Sequence, residues 1–236
     1  MCVGIPGAPR RSDSRVRVWD LPTRLFHWSL LALVVAAFVT GEVGGNAMIW
    51  HGRAGLGILG LVVFRLVWGF VGSTYARFSH FVRGPGAIRA YLAGQWRGLG
   101  HNPLGALSVL GLLAVVAFQA GTGLFANDDI AFRGPLQALV SDAVSNQITG
   151  WHHLGKNLMI ALVVLHVGAV AFYVRVKKHN LLKPMILGWT EGEGDDAQGG
   201  GIVPLLIALA VACLAVTAAA GVFLPPPEVG TTAPAW

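Results

Sequence analysis

Charge is scarce in this chain: Asp, Glu, Lys and Arg together make 12% of its 236 residues, and only 11 are acidic. An ordinary soluble domain is about a quarter charged, so there is too little polar surface here for a water-covered fold. Cysteine is scarcer still, and Cys2 and Cys213 stand too far apart in context to suggest a disulfide. The first 24 residues lack the apolar core, about 7–15 residues long, of a cleavable signal. The first apolar run is therefore expected to remain in the protein.

What the chain has instead is 54% apolar residues. Five stretches are nearly free of charge: 25–41, 54–72 (interrupted by Arg65), 103–126, 157–174 and 202–224. Each approaches or reaches the roughly 20 residues that cross about 30 Å of hydrocarbon. The expected fold class is an all-α integral membrane protein, a four-helix transmembrane bundle with a fifth C-terminal transmembrane helix. The cations are unevenly spread. Arg10, Arg11, Arg15, Arg17 and Arg24 precede span one, Arg77, Arg83, Arg89 and Arg97 follow span two, and Arg175, Lys177, Lys178 and Lys183 follow span four. With Arg65 these are 14 of the 17 Lys and Arg, leaving Arg53, Arg133 and Lys156 on the other side. By the positive-inside rule the N-terminus is cytoplasmic and the C-terminus outside. The net charge of +6 thus reports topology, and nucleic acid is not an expected partner.

Residues 1–24 read as a cytoplasmic tail and 25–190 as the four-helix domain. Residues 191–201, acidic and glycine-rich, read as a flexible linker, and 202–236 as the added helix and an outer tail stopped by Pro225, Pro226 and Pro227. The connection 41–50 is short enough to make spans one and two antiparallel neighbours. In 73–102 a Gly-Pro-Gly turn at 84–86 and the aromatics Tyr75, Phe78, Phe81, Tyr91 and Trp96 suit a helix at headgroup level. In 126–150 a weak helical stretch is expected around 135–144, with Asp128, Asp129 and Asp142 as an acidic surface that could dock a basic partner or simply be solvated. Trp19, Trp28, Trp50, Trp68 and Trp151 read as an interfacial belt.

Histidine carries the chemistry. His152 and His166 share one apolar segment, and fourteen steps of about 100° and 1.5 Å bring them to within about 40° of one face and about 21 Å apart in height. Orientation places His27 and His166 near the inner surface and His51 and His152 near the outer one, so depth gives the pairs His27–His166 and His51–His152. His153 lies about 140° around the helix from His166, which favours His152. His80, His101 and His179 read as interfacial or solvated, with His101 sharing the inner depth. A lone membrane histidine is often only a helix cross-link, but two matched pairs point to metal centres, since ionisable groups at depth tend to be functional. Structural zinc wants four ligands, whereas haem wants two axial ones. No Cys-x-x-Cys-His occurs, so a haem would be held non-covalently. Gly55, Gly57, Gly60, Gly155 and Gly168 would give a porphyrin room, although glycines also serve helix packing. Arg53 and Lys156 at the outer depth, and Arg24 and Arg65 at the inner, are candidate propionate partners, with snorkelling to lipid as the other reading.

The stretch from Arg17 to Trp28 (RVWDLPTRLFHW), the run WHGRAGLGILGLVVFRLVWGFVG from Trp50, ARFSHFVRGP from Ala76, His101-Asn102-Pro103-Leu104-Gly105, and GWHHLGKNLMIALVVLHVG from Gly150 resemble the bacterial cytochrome b561 family. The resemblance covers about residues 15–190 and leans toward the branch with the b-type cytochrome subunits of nickel-iron hydrogenases. It implies two haem b groups held by bis-histidine ligation through His27, His51, His152 and His166. It also implies electron transfer in the bacterial inner membrane between quinone or quinol and a redox protein, either a c-type cytochrome or a dehydrogenase or hydrogenase module. The alternatives are a stand-alone quinol oxidase acting on oxygen or superoxide and, from a different class, a haem-free scaffold or carrier. The fifth span receives no role from the resemblance.

Overall fold

The computed structural model describes residues 15–223. Cys2, Arg10, Arg11 and the closing Pro225, Pro226 and Pro227 lie outside the described residues. A short strand, β1 (Arg15–Arg17), leads into α1 (Leu21–Val43). This helix begins four residues before the apolar run because Asp20 caps it, accepting the Thr23 N–H at 2.7 Å, with Pro22 in the first turn. Gly44, at φ 67°, reverses the chain, and one 3-10 turn leads into α2 (Met48–Val71), antiparallel to α1. His51 therefore sits in the first turn of α2.

Beyond α2 lie α3 (Phe78–Phe81) and α4 (Pro85–Leu92). The Gly-Pro-Gly signal starts α4 and does not form a separate turn: Gly84 caps it and Pro85 opens it, where a missing N–H costs nothing. Asn102 caps α5 (Pro103–Gly123) through the Gly105 N–H at 2.8 Å. The helix expected around 135–144 is reduced to a 3-10 turn at 137–139, and α6 (Asp142–Arg175) begins directly after it. Asp142 in its first turn and Arg175 in its last both suit the helix dipole. Residues 142–156 thus belong to the helix that the apolar run 157–174 only partly marked.

The bundle is centred on Ile58 and Val62 of α2 against Leu113, Val116 and Ala120 of α5, with Phe26, Leu30 and Val34 of α1 packed on them. After α7 (Leu182–Leu187), strand β2 (Trp189–Glu191) pairs antiparallel with β1, Val16 facing Thr190. The final helix, α8 (Ile202–Ala219), is packed along α2: Ala208 and Ala212 are buried with Phe64 and Trp68, and a Cβ on Gly60 would stand 2.9 Å from Val216. Among the described residues, five helices are long and apolar enough to cross a membrane. The protein is an all-α, multi-pass membrane protein.

Two expectations are corrected at the cation-rich end. The segment 191–201 is laced to the bundle and is no free tether. Asp196 Oδ1 accepts the Arg17 N–H and the Arg17 carbonyl accepts the Ala197 N–H, each at 2.7 Å, while the Asp195 carbonyl accepts the Tyr75 hydroxyl at 2.7 Å and the Gln198 carbonyl accepts the Thr74 N–H at 2.9 Å. Its glycines permit the turns this lacing needs, Gly199 and Gly200 standing at φ 81° and 67°. Trp19 and Trp68 are not belt residues either. Trp68 is wholly buried, and its Nε1–H donates to Asp20 Oδ2 at 3.0 Å, an oxygen that also accepts from Ser73 Oγ.

Asp20 therefore caps α1 and satisfies a buried indole. Asp20→Ala should lower the thermal unfolding midpoint in detergent, losing a cap worth about 0.5–2 kcal/mol and stranding a buried donor at about 1–3 kcal/mol. A midpoint equal to that of the unaltered protein would show that the cap is replaceable.

Candidate functional site

At the end of the bundle opposite the cation-rich one, α1, α2, α5 and α6 surround a cavity of about 340 Å³. His51 of α2 and His152 of α6 face each other there, ring centroids 6.0 Å apart and planes 80° apart. Their backing is specific. His51 Nδ1 lies 2.8 Å from the Ala37 carbonyl, which can only accept, so Nδ1 carries the proton. Thr122 Oγ1 donates to the Phe118 carbonyl at 2.7 Å and so presents a lone pair to His152 Nδ1 at 3.0 Å. These contacts hold a proton on Nδ1 of each ring, so that in the neutral imidazole the lone pair stands on Nε2. A ring nitrogen tied to a carbonyl or hydroxyl while the other is free is the usual state of a metal-binding histidine.

Close packing fixes the rings further. A Cβ on Gly41 would meet His51 Nδ1 at 2.9 Å, and one on Gly123 would meet His152 Cε1 at 3.3 Å. Phe132, from the loop after α5, meets the His51 ring edge-on at 6.4 Å. Of the glycines read as room for a porphyrin, Gly55 borders the cavity, whereas Gly57, Gly60 and Gly155 pack against Leu33, Val216, and Gln119 with Phe118. No group stands within 4 Å of a Cβ on Gly168.

The cavity suits a haem on two counts. A ring separation of 6.0 Å comes within a few tenths of an ångström of two metal–nitrogen bonds of about 2 Å plus the half-width of each imidazole, and the volume falls within the roughly 300–1,000 Å³ of cofactor pockets. Among the described residues, no group of three or more His, Cys, Asp or Glu side chains is placed to hold a metal ion. His153 is exposed, its ring 6.5 Å from that of His152, and borders the same cavity.

Lys156 also borders this cavity, but its Nζ is 2.6 Å from Glu42 Oε1, an ion pair joining α6 to α1. Arg53 is turned to the Trp50 ring, its guanidinium 4.8 Å from the centroid. At the other end, Arg24 donates Nη1–H to the Ile186 carbonyl at 2.6 Å. Each of these cations thus has a partner within the protein.

His27, in the second turn of α1, and His166 of α6 occupy the cation-rich end and act on each other electrostatically. The structure adds His101, which the sequence had placed among the solvated histidines. Its ring lies 4.6 Å from that of Trp19 and 4.9 Å from that of Phe81. Burial, together with Arg65, His166 and His27 around it, pushes its pKa down to about 3, so it is neutral at physiological pH. The Nδ1 atoms of His27 and His101 are buried without a hydrogen-bond partner among the described residues. His80 packs edge-on to Tyr75 and His179 is exposed.

Two of the three acids in 126–150, Asp128 and Asp142, have structural work. Asp128 Oδ1 accepts the N–H groups of Ile130, Ala131 and Phe132 at 2.9, 2.9 and 2.8 Å, shaping the loop that carries Phe132 to His51. Asp142 Oδ1 accepts from Gln137 Nε2 at 3.1 Å.

Apolar helices enclosing imidazoles at two depths define a class, the membrane proteins whose polar interior is built to hold a group between helices. The family model described as prokaryotic cytochrome b561 matches residues 18–188, and the chain belongs to that family. It is a b-type cytochrome, with haem b as the cofactor that membership implies. Its relatives include proteins named probable Ni/Fe-hydrogenase B-type cytochrome subunit. That of Azotobacter chroococcum mcd 1 is 28% identical over 76% of this chain and 90% of its own length. The Ni/Fe-hydrogenase 1 counterpart of Escherichia coli K12 is 26% identical over 67% and 84%, and that of Cupriavidus necator H16 is 25% identical over 77% and 89%. No solved structure matches.

The Asp128 loop gives a pH test. Amides donated first by Ile130, then by Phe132 and Ala131, hold this carboxylate below its ordinary pKa. A depressed acid stabilises the folded loop above its unfolded pKa and ceases to do so as pH falls through the lower folded value. Amide protection at 130–132 should be full at neutral pH and fall in acid, and Asp128→Ala should lack it throughout. Equal protection in the variant at neutral pH would separate loop order from the carboxylate.

Proposed function

We propose that this chain is the di-haem electron-transfer subunit of a membrane hydrogenase system, carrying electrons between a Ni/Fe-hydrogenase-like module and quinone across a bacterial inner membrane. The observation that carries the reading is the His51–His152 pair, two tautomer-fixed imidazoles 6.0 Å apart on a cavity between helices. In this reading His51 and His152 ligate one haem and His27 and His166 the other. Lys156, Arg53 and Arg24 are the cations available to haem carboxylates once their present partners are exchanged. The excess of cations at one end favours a cytoplasmic N-terminus and a periplasmic C-terminus.

Haem b, when bound, supplies a reversible one-electron centre. The chain's own part is orientation, spacing and exclusion of water. Ala37 and Thr122 hold the outer imidazoles so that each Nε2 keeps its lone pair. Unbroken α6 spaces His152 from His166 by about 21 Å, and the edges of haems held there would stand nearer to each other than that, so that electrons could pass without large motion. Val116, Ile58 and Met159 line the cavity with apolar surface, lowering the local dielectric. The hydrogenase module is favoured by the names of the relatives at 25–28% identity.

Two measurements test this. Purified protein should carry two haem b per chain, with His51→Ala or His152→Ala removing one and His166→Ala removing the other. Loss of neither would break the ligand assignment. In membranes containing the cognate hydrogenase, molecular hydrogen should reduce the α-band of this protein, and deletion of this chain should abolish hydrogen-dependent quinone reduction. Undiminished quinone reduction after deletion would sink the proposed role.

A further inference from the structure

Arg65 is a charged side chain in the wrong medium. It stands in α2, 3% exposed, and makes no hydrogen bond or ion pair among the described residues, its Nη1 being buried and unpartnered. So deep a position rules out snorkelling to lipid phosphate, because the guanidinium does not reach the surface. The rings of Phe78 and Phe81, with centroids 4.9 and 5.9 Å from its central carbon, offset part of the cost of burial. A buried cation still requires an anion.

The obvious anion is committed elsewhere. Asp20 acts on Arg65 electrostatically, but its Oδ1 caps Thr23 and its Oδ2 accepts from Trp68 and Ser73. At this end of the bundle the other buried groups without a hydrogen-bond partner among the described residues are Nδ1 of His101, Nδ1 of His27, Nε of Arg24 and Oγ1 of Thr23, all able to donate. His101 reaches Arg65 through Phe81, whose ring lies 5.9 Å from the guanidinium carbon and 4.9 Å from the His101 ring, and His101 feels the charge of Arg65, His166 and His27. A buried cluster rich in donors and short of acceptors is complementary to a carboxylate, which brings two acceptor oxygens and the missing charge.

We infer that Arg65, with His101 as a second donor, receives a carboxylate of the haem held by His27 and His166. This rests on the two-haem reading above and assigns to Arg65 the role that position alone would divide between it and Arg24. Arg24 is already engaged by the Ile186 carbonyl, whereas Arg65 has no hydrogen-bond or ionic partner among the described residues to give up.

The test is a potentiometric titration of the purified full-length protein, reading both haems. A fixed cation beside a haem carboxylate favours the reduced, more negative state. Arg65→Met should lower the midpoint potential of the haem that His166→Ala removes and leave the haem that His51→Ala removes unmoved. Arg65→Lys should restore most of the difference, and His101→Phe should give a smaller shift in the same haem. The haem at His51 and His152 serves as the internal control for folding. Should Arg65→Met lose both haems, Arg65→Gln, which keeps length and polarity without charge, is judged by the same criterion. Two haems with both potentials unchanged in the neutral variants would overturn the inference and leave the two-haem reading standing. Unaltered protein without haem would instead overturn that reading.

Discussion

Every polar group of consequence in this bundle is placed with respect to one unbroken helix. The 34 residues of α6 run as one continuous helix past both His152 and His166, so the angle and the height between them follow from helix geometry. The neighbours are registered against it. Gly155 lets α5 approach closely enough for Gln119 and Phe118 to touch the α6 backbone, Thr122 of α5 meets His152, and Glu42 of α1 meets Lys156. A slip of one residue would rotate both histidines by about 100°, breaking the contact with Thr122 and turning both rings out of the bundle. Backbone hydrogen bonds inside a bilayer have no water to exchange with, which makes such a slip costly and keeps the two depths coupled.

The spans were legible because a bilayer demands apolar residues in unbroken runs, and five such runs are present. Their ends were not, because helices continue past the hydrocarbon under different rules. Asp20 and Pro22 start α1 in a polar stretch, and α6 begins at Asp142 through Ser145, Asn146 and Thr149, residues that give no apolar signal. The 191–201 segment shows a second limit. Its composition is that of a linker, but its hydrogen bonds go to Arg17, Thr74 and Tyr75, more than a hundred positions away, and composition holds no record of such partners. Trp68 was misplaced for the same reason, since its indole is paid for by Asp20, 48 positions earlier.

At the site, spacing and depth brought His51 and His152 together, and the structure sets their rings face to edge across one cavity. What spacing could not reach were the groups behind the rings: a backbone carbonyl at Ala37, a threonine that looks like any other helical threonine, and two glycines on neighbouring helices. His101 escaped because it precedes Pro103, outside any apolar run, and only the fold carries it under Trp19 and Phe81. The pairing of Lys156 with Glu42 was equally hidden, the two being 114 positions apart.

The two ends of the bundle meet the same constraint in opposite ways. Near His51 and His152 the protein satisfies its own ring nitrogens with acceptors, so both imidazoles are oriented by the chain itself and the site is preorganised. At the end that holds His27 and His166 the chain instead has Arg65, His101 and Arg24, groups that give protons and whose Nη1, Nδ1 and Nε have no acceptor among the described residues. In a medium of low dielectric an unmatched donor is penalised more than in water and a matched ionic contact is worth more. The first arrangement fixes ligand geometry at little electrostatic cost. The second stores an unmet demand for negative charge, and whatever meets it is held by charge as well as by coordination. On the two-haem proposal, centres built from the same residue type at the two ends would thereby have different electrostatic surroundings, which is the condition for their potentials to differ and for electrons to run preferentially one way along the bundle.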